Sequence, residues 1–489
     1  MRHVAFFFLL SWCVGAQAAP AGGLPEPLAR SLQRYNLSTN GLSIYIHEIG
    51  SPTPLVSVGA DEPRSPASVM KLLPTLAALE ELGPAYQWKT ELWTAAPVRD
   101  GRLEGDLYIK GYGDPYLVIE HFWRLLRQAR QLGIATIAGN VILDQSYFVP
   151  DVDDSPGDFD GRPHRAYNVL PTALLVNFQA VNFRFIPEAA DKRVRVVTEP
   201  WPAHLALENK LRLVRERCHG GWARGIGLQT VHRAKQETVV LSGTYDADCG
   251  EREFFRVVSE PLAYTGGVFR SAWAEMGGRV EGDVREGKVP EGARVIASIY
   301  SPPLADVIRS VNKFSNNVMT RQLLFTLGAR EEVPGTLEKG IDAVRAWMKK
   351  RSLDFPELVL ENGTGLSRKE RISARHLGEL LLVGYQSPSM PEYLSSFPIA
   401  GLDGTMRYRL ANTPLAGRVH LKTGSINNVH TIAGYVLDQA NRRVVVVVLH
   451  NHPQADTAAA DAFQDSVLDW VYRRPAATPA DARAARPDS

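Results

Sequence analysis

The sequence predicts an α/β fold in which an antiparallel sheet is flanked by helices and interrupted by a large β-rich insertion. Three observations carry this expectation. A short strand pair lies early, at Leu42 to Glu48 and Leu55 to Val58; three consecutive strand patterns lie late, at Arg418 to Thr423, Thr431 to Leu437 and Arg443 to His450; and helical patterns accompany both groups, while the stretch from about Trp88 to Glu260 is mostly β in texture. At 489 residues, 45% hydrophobic and 22% charged, the chain is long enough for two or three domains.

Taken in order, Arg2, the apolar run Val4 to Val14 and Ala16-Gln17-Ala18 read as a secretory signal, cleaved after about Ala18 and too short to span a membrane. Cys13 follows the bulky Trp12, where lipidated cysteines follow small residues. The first long helix is expected after Ser65 as cap and Pro66 in the first turn, with Leu72, Leu73, Leu76, Leu79 and Leu82 on its apolar face.

Hairpin-like pieces at Arg99 to Lys110, alternation at Val181 to Ile186, and strands at Arg193 to Val197 and Thr238 to Ser242 make up the β-rich region, broken by one helix at about His121 to Leu132. Helices return at Pro261 to Met276, Leu304 to Asn312, Val318 to Leu327 and Thr336 to Lys350. Val444 to Leu449 is continuously apolar, as for a strand buried on both faces. A last helix at Asp456 to Tyr472 carries Phe463, Val467, Leu468 and Val471 on one side. The expected division is one discontinuous domain from 24–86 and 261–474, an inserted region 87–260 that reads as two small domains, and a disordered tail 475–489 rich in Pro, Ala, Asp and Arg.

Export places Cys218 and Cys249 in an oxidising compartment, where a disulfide is the expectation and two buried thiols the alternative. A loop of that length is worth roughly 3.5 to 4 kcal/mol in the chain-entropy model. Loss of the leader removes one base and no acid from a net charge of +2, and such a balance offers no electrostatic footprint for nucleic acid. The tail has no apolar face, so no stable membrane anchor is expected.

The chemistry-bearing residues are Ser68-Val69-Met70-Lys71, Ser315-Asn316-Asn317 and Lys422-Thr423-Gly424. Each pattern alone is weak: Ser310-Val311-Asn312-Lys313 repeats the first, and Ser38-Thr39-Asn40 and Ser425-Ile426-Asn427 repeat the second. Order and setting separate the chosen set. Ser68 falls in the first turn of a helix, Ser315 between two helices, and Lys422-Thr423-Gly424 at a strand end before a hairpin.

A serine hydroxyl needs a base during attack, and Lys71, one turn on, lies on its face. To act as that base Lys71 must be neutral part of the time, which burial and a neighbouring cation such as Lys422 favour. The two lysines are then expected to titrate as a pair. Ser315 is placed to relay a proton to the leaving amine, and Asn317 to hold Lys71 and the substrate backbone. Lys422 and Thr423 suit an anionic carboxylate, Gly424 a close backbone approach, and the N–H groups of Ser68 and Ser425 an oxyanion hole.

With these residues in place, the chain resembles the low-molecular-mass class C penicillin-binding proteins, the D-alanyl-D-alanine carboxypeptidase/endopeptidase family; the same three motifs occur in class A β-lactamases. The likeness extends to Pro66-Ala67-Ser68, Gly105-Asp106-Leu107, Gly113-Asp114-Pro115, Gly139-Asn140-Val141, Asn312-Lys313, Asn362 to Arg368 and Gly401 to Thr405. The long separation of Ser68 from Ser315 is similar to this family, which inserts domains there, and unlike the β-lactamases.

The resemblance implies a penicillin-binding-protein/β-lactamase-like sandwich. It further implies a periplasmic enzyme that cleaves D-Ala-D-Ala in peptidoglycan stem peptides through a Ser68 acyl-enzyme, with cleavage of crosslinks as the family's second activity, and that is acylated by β-lactams. No cofactor or metal is implied. Two departures stand out: Ser-Asn-Asn where Ser-Asp-Asn is commoner, and Ser425 where Thr is usual. In relatives an acidic and an aromatic residue of the insertion receive the substrate's side chain, and Asp144 and Phe148 are the expected counterparts.

Two rival readings stand beside this one. A Ser-His-Asp hydrolase could draw on His420, His430, His450 or His452, but no G-x-S-x-G elbow is present. A non-catalytic protein that binds or scaffolds wall peptides on the same fold would be marked by a missing Ser68 or Lys71, and both are present.

Overall fold

The computed structural model describes residues 23–150, 154–233, 236–455 and 458–475. The expected leader at 1–18 and the tail beyond Pro475 lie outside the described residues. Among the described residues no helix is long and apolar enough to cross a membrane.

Five antiparallel strands form the central sheet in the order Val419–Ile426, Val429–Leu437, Arg443–Asn451, Leu42–Glu48, Val56–Val58. The apolar run in Arg443–Asn451 divides by parity. Val444, Val446 and Val448 face Leu28, Leu32, Phe463 and Val467 of the two terminal helices, Glu26–Arg34 and Ala458–Tyr472. Val445, Val447 and Leu449 face Leu72, Leu76, Leu323 and Leu377 on the helices of the opposite side. Helices on both faces are what make every residue from Val444 to Leu449 apolar, although the sheet is antiparallel.

The inserted region has its own core. One mixed sheet runs Val284–Glu286, Val141–Asp144, Leu107–Gly111, Lys89–Thr94, Arg294–Tyr300, and against it pack Phe122 and Leu125 of the Ile119–Gln131 helix and Phe269 and Trp273 of the Pro261–Glu275 helix. Pro261–Glu275 and Arg294–Tyr300 therefore bury their apolar faces with the insertion. The chain rejoins the first core at Leu304, not at Pro261 as the sequence suggested, because helix periodicity does not reveal which core a helix packs on. Further strands, including Val181–Glu188, Arg252–Arg256 and Gln236–Asp246, extend this core, and the Cys218–Cys249 disulfide pins its edge.

Two local expectations need correction. Ser65 does not cap a helix: its Oγ has no hydrogen-bond partner among the described residues, and its backbone is held from both sides by Asn451, with Ser65 N–H donating to Oδ1 at 2.7 Å and Nδ2 donating to the Ser65 carbonyl at 3.0 Å. A 3-10 segment, Ala67–Lys71, precedes the α-helix Leu72–Leu82. Three helices were also missed, Glu26–Arg34, Ala374–Gln386 and Met390–Ser395. The second starts at Ser373, whose side chain accepts from His376 N–H.

Candidate active site

The backbone before Ser68 is clamped into an uncommon shape. Thr431 Oγ1 donates to the Pro66 carbonyl at 2.7 Å, and Ala67 takes a φ of 45°, a left-handed conformation that is costly for a residue with a Cβ. Two glycines press against it: a Cβ at Gly365 would stand 1.7 Å from the Ala67 carbonyl oxygen, and one at Gly424 would stand 2.8 Å from Ser68 N. Gly424 thus admits the chain's own Pro66 to Ser68 segment, a closer constraint than the substrate approach read from sequence. Its Lys-Thr-Gly run lies inside the Val419–Ile426 strand rather than at its end.

Lys71 is fully buried and donates to three oxygens: Ser68 Oγ at 3.0 Å, Asn317 Oδ1 at 2.6 Å and the Thr364 carbonyl. Burial first, and the charge of Lys422 second, push its pKa well below the ordinary lysine value, with the Glu370 carboxylate acting in the opposite sense. Burial also brings Lys422 down to about 7. Lys422 donates to Ser315 Oγ at 3.0 Å and to the Thr423 carbonyl at 2.6 Å. Ser68, Lys71, Ser315 and Lys422 are therefore brought together as two serine-lysine pairs, with Asn317 bonded to Lys71 of the first.

Ser315 reaches this position as the left-handed residue that ends the Leu304–Phe314 helix, at φ 57°. Asn316 then caps the Asn317–Glu331 helix, its side chain accepting from Met319 N–H at 3.0 Å. Asn and Asp cap comparably, which accounts for Ser-Asn-Asn in place of Ser-Asp-Asn. Thr423 Oγ1 lies 2.8 Å from Thr405 Oγ1 at the open side of the strand, and Ser425 is exposed. The decoy lysine of the second S-x-x-K, Lys313, is instead committed to Asp403 at 2.7 Å and to the Phe397 carbonyl at 2.8 Å.

Sequence reading missed the anchor of the Asn362 to Arg368 loop. Glu370 is wholly buried and accepts from the backbone N–H groups of Glu361, Asn362, Gly363 and Gly365, at 3.2, 3.0, 2.7 and 2.8 Å. Those four bonds fix the loop that offers the Thr364 carbonyl to Lys71. Glutamate eight residues from an asparagine carries no motif, so only the folded loop identifies it.

Asp144 and Phe148 are not brought to this cluster's cleft. Asp144 is 1% exposed and its carboxylate is occupied by Ser146 N–H at 2.9 Å, Ser146 Oγ at 2.6 Å and Val289 N–H at 2.9 Å. Phe148 is buried against Phe325, ring centroids 5.3 Å apart. The cavity beside Lys71, about 410 Å³, is lined instead by Asp154, Phe159, Tyr167, Asn317, Arg321 and Arg368 among others. Asp154 pairs with Arg321, and the Arg368 guanidinium lies 4.6 Å over the Phe159 ring. A larger cavity of about 1260 Å³ between the terminal helices touches none of the motif residues.

Of the rival histidines, His430 Nε2 pairs with Asp461 at 2.9 Å, and His450 is buried, its pKa brought down to about 4 by desolvation.

The family model for D-Ala-D-Ala carboxypeptidase 3 (S13) matches residues 24–473. A D-alanyl-D-alanine carboxypeptidase from an Actinomadura species is 31% identical over 433 residues, covering 85% of this chain and 79% of the relative. Penicillin binding protein 4 from Haemophilus influenzae superposes with a TM-score of 0.75 at 21% identity, over 91% of this chain and 99% of that one. A predatory peptidoglycan endopeptidase from Bdellovibrio bacteriovorus superposes with a TM-score of 0.53 at 17% identity, over 89% and 94% of the two chains.

Proposed function

The chain belongs to the D-Ala-D-Ala carboxypeptidase 3 family, as a low-molecular-mass class C penicillin-binding protein, and from that premise we propose how its own residues cleave the terminal D-Ala of a peptidoglycan stem peptide. The observation that carries the reading is the donor count at Lys71. An ammonium has three protons, and all three point at oxygens. Two of those oxygens belong to an amide and a peptide carbonyl, which only accept. When Lys71 is neutral, its two remaining protons satisfy them and its lone pair faces Ser68.

Ser68 Oγ then attacks the carbonyl carbon of the D-Ala-D-Ala bond while its proton passes to Lys71 Nζ. The N–H groups of Ser68 and Ser425 hold the oxyanion. Collapse expels the D-alanine amine, which takes a proton through Ser315 Oγ from Lys422, and the acyl group stays on Ser68. Water attacks the ester, its proton passing through Ser315 Oγ to the now neutral Lys422 while Lys71 returns the first proton to the departing Ser68 Oγ, and the stem peptide leaves with both lysines restored. The substrate's terminal carboxylate lies against Lys422, Thr423 and Thr405. A lysine poised at about 7 is readily charged by such an anion.

A β-lactam presents a strained amide to the same serine and stops at the acyl-enzyme. A crosslinked peptide presents the same acyl group with a larger leaving amine, which is how endopeptidase activity joins the same site. The cavity of Asp154, Phe159 and Arg368 receives the side chain of the residue preceding D-Ala-D-Ala: Asp154 attracts an amine there, and Arg368 a carboxylate. Export of the mature protein to the periplasm follows from the leader read in the sequence.

Incubation of the mature protein with a stem pentapeptide tests the reading. Release of one D-alanine per peptide, abolished by Ser68→Ala, is expected. Intact pentapeptide after exposure to a protein that still binds it would favour the scaffolding alternative.

A further inference from the structure

Resting on the reading above, we propose that Arg165 and Arg256 form a carboxylate clamp for the second residue of the stem peptide, the one before the side chain held in the cavity beside Lys71. That second residue is a glutamate joined onward through its side chain, so its α-carboxylate is free unless it has been amidated. The clamp makes the enzyme select the free acid over the amide.

Two cations are set against each other here. Arg165 and Arg256 form an antiparallel backbone bridge, and beside it Val257 N–H donates to the His164 carbonyl at 3.0 Å. Such a pair projects both side chains to one face with Cβ atoms about 4.5 to 5.5 Å apart, and like charges placed directly opposite are destabilising. The Arg256 guanidinium lies 3.9 Å over the Phe254 ring, and its Nη1 donates to the Phe255 carbonyl at 2.8 Å. Among the described residues neither arginine has a carboxylate partner.

The acid nearest in sequence is already committed. Asp160 accepts from Tyr167 OH at 2.7 Å, Asn168 Nδ2 at 2.9 Å and Arg162 N–H at 3.0 Å. Elsewhere in the insertion arginines do find acids, as Arg184 does in Glu251, and Arg193 and Arg195 in Glu188. Burial first, and the charge of Arg165 second, bring the pKa of Arg256 down to about 10, with Tyr167 acting in the opposite sense. A carboxylate between the two guanidinium forks removes their repulsion and is matched by their planar geometry.

Position selects which carboxylate. Tyr167 lines the cavity beside Lys71, and its carbonyl accepts from Asn317 Nδ2 at 3.4 Å. Arg165 stands two residues before it, so the two backbones are at most about 7 Å apart. With the scissile carbonyl at Ser68 and the third side chain in that cavity, the second residue lies one residue further along, at most about 3.6 Å. It therefore falls within reach of the rim that Tyr167 and Arg165 share. Both arginines are partly exposed, so the anion reaches them from solvent.

The test is a calorimetric titration of full mature protein carrying Ser68→Ala, with two stem pentapeptides that differ only in a carboxylate or a carboxamide at the second residue. The acid should bind about tenfold more tightly, the scale of a hydrogen-bonded charge pair. In the same background Arg165→Gln and Arg256→Gln should each bring the two Kd values close together, and Arg165→Glu should invert the preference. Arg256 also packs on Phe254, so Arg165→Gln decides where the melting temperature shows that Arg256→Gln does not fold. In the active enzyme the preference should appear in KM and not in kcat, because the clamp is remote from the bond that breaks. Equal Kd values for the two peptides, no binding of either, or a preference that survives Arg165→Gln overturns the clamp. The titration needs no turnover. Absence of D-alanine release from wild-type protein therefore overturns the catalytic reading by itself, while the titration still decides the clamp.

Discussion

Lys71 Nζ lies 3.0 Å from Ser68 Oγ, and the orientation of its other partner, Asn317, is set independently because Asn317 Nδ2 donates to the Tyr167 carbonyl. The amide oxygen must therefore face Lys71. A neutral Lys71 has one direction left for its lone pair, and that direction is the nucleophile.

Replacing Lys71 with Ala removes the base and leaves the serine in place. Acylation by a penicillin, followed by stopped-flow quenching, should slow by roughly 10² to 10⁴, the usual contribution of a general base. A loss under fivefold would mean that another group takes the proton.

Glu370 acts on Lys71 through the loop it anchors and through its charge. Glu370→Gln removes the charge, so the pKa of Lys71 falls further and the acid limb of the kcat/KM profile moves to lower pH. The amide also faces four N–H donors with one oxygen, so thermal stability should drop by about 1 to 3 kcal/mol. An unshifted acid limb in a folded variant would reduce Glu370 to a purely structural role.

Asp154 and Asp144 should separate cleanly. Asp154→Asn should raise KM for stem peptides whose third residue carries a free amine, with little effect on penicillin acylation. Asp144→Asn disturbs a buried carboxylate with three donors, so its effect should appear in the melting temperature. Equal KM effects from both would return Asp144 to the substrate cavity.

His450 contributes a pH dependence to stability. Its folded pKa of about 4 lies below the unfolded value near 6.5, so the folded state favours the neutral ring. The stabilisation is complete above about 6.5 and is lost as pH falls towards 4, because the unfolded chain then binds the proton more readily. Urea midpoints measured between pH 7 and 4.5 should fall less steeply in His450→Leu than in wild type; identical slopes would contradict this.

What could be read in advance follows physical range. Ser68 and Lys71 are one turn apart, and the unbroken apolar run Val444 to Leu449 is a local property of a strand buried on both faces, so both were legible. Glu370 and Asp154 act through loops whose partners are set by the whole fold, so neither showed. Asp144 came from the resemblance, as the counterpart of an acidic residue in the relatives' insertion, and the fold spends it on Ser146 and Val289. Ser65 looked like a cap, but Asn451, nearly the whole chain away, holds its backbone instead. Periodicity found the Pro261–Glu275 helix without revealing that Phe269 and Trp273 face the insertion.

The most direct measurement is to treat the mature protein with a labelled penicillin, digest it and map the adduct by mass spectrometry. The account predicts one label, on the peptide carrying Ser68, and none after Ser68→Ala. Label on the peptide carrying Ser310, or no label on folded protein, would contradict it.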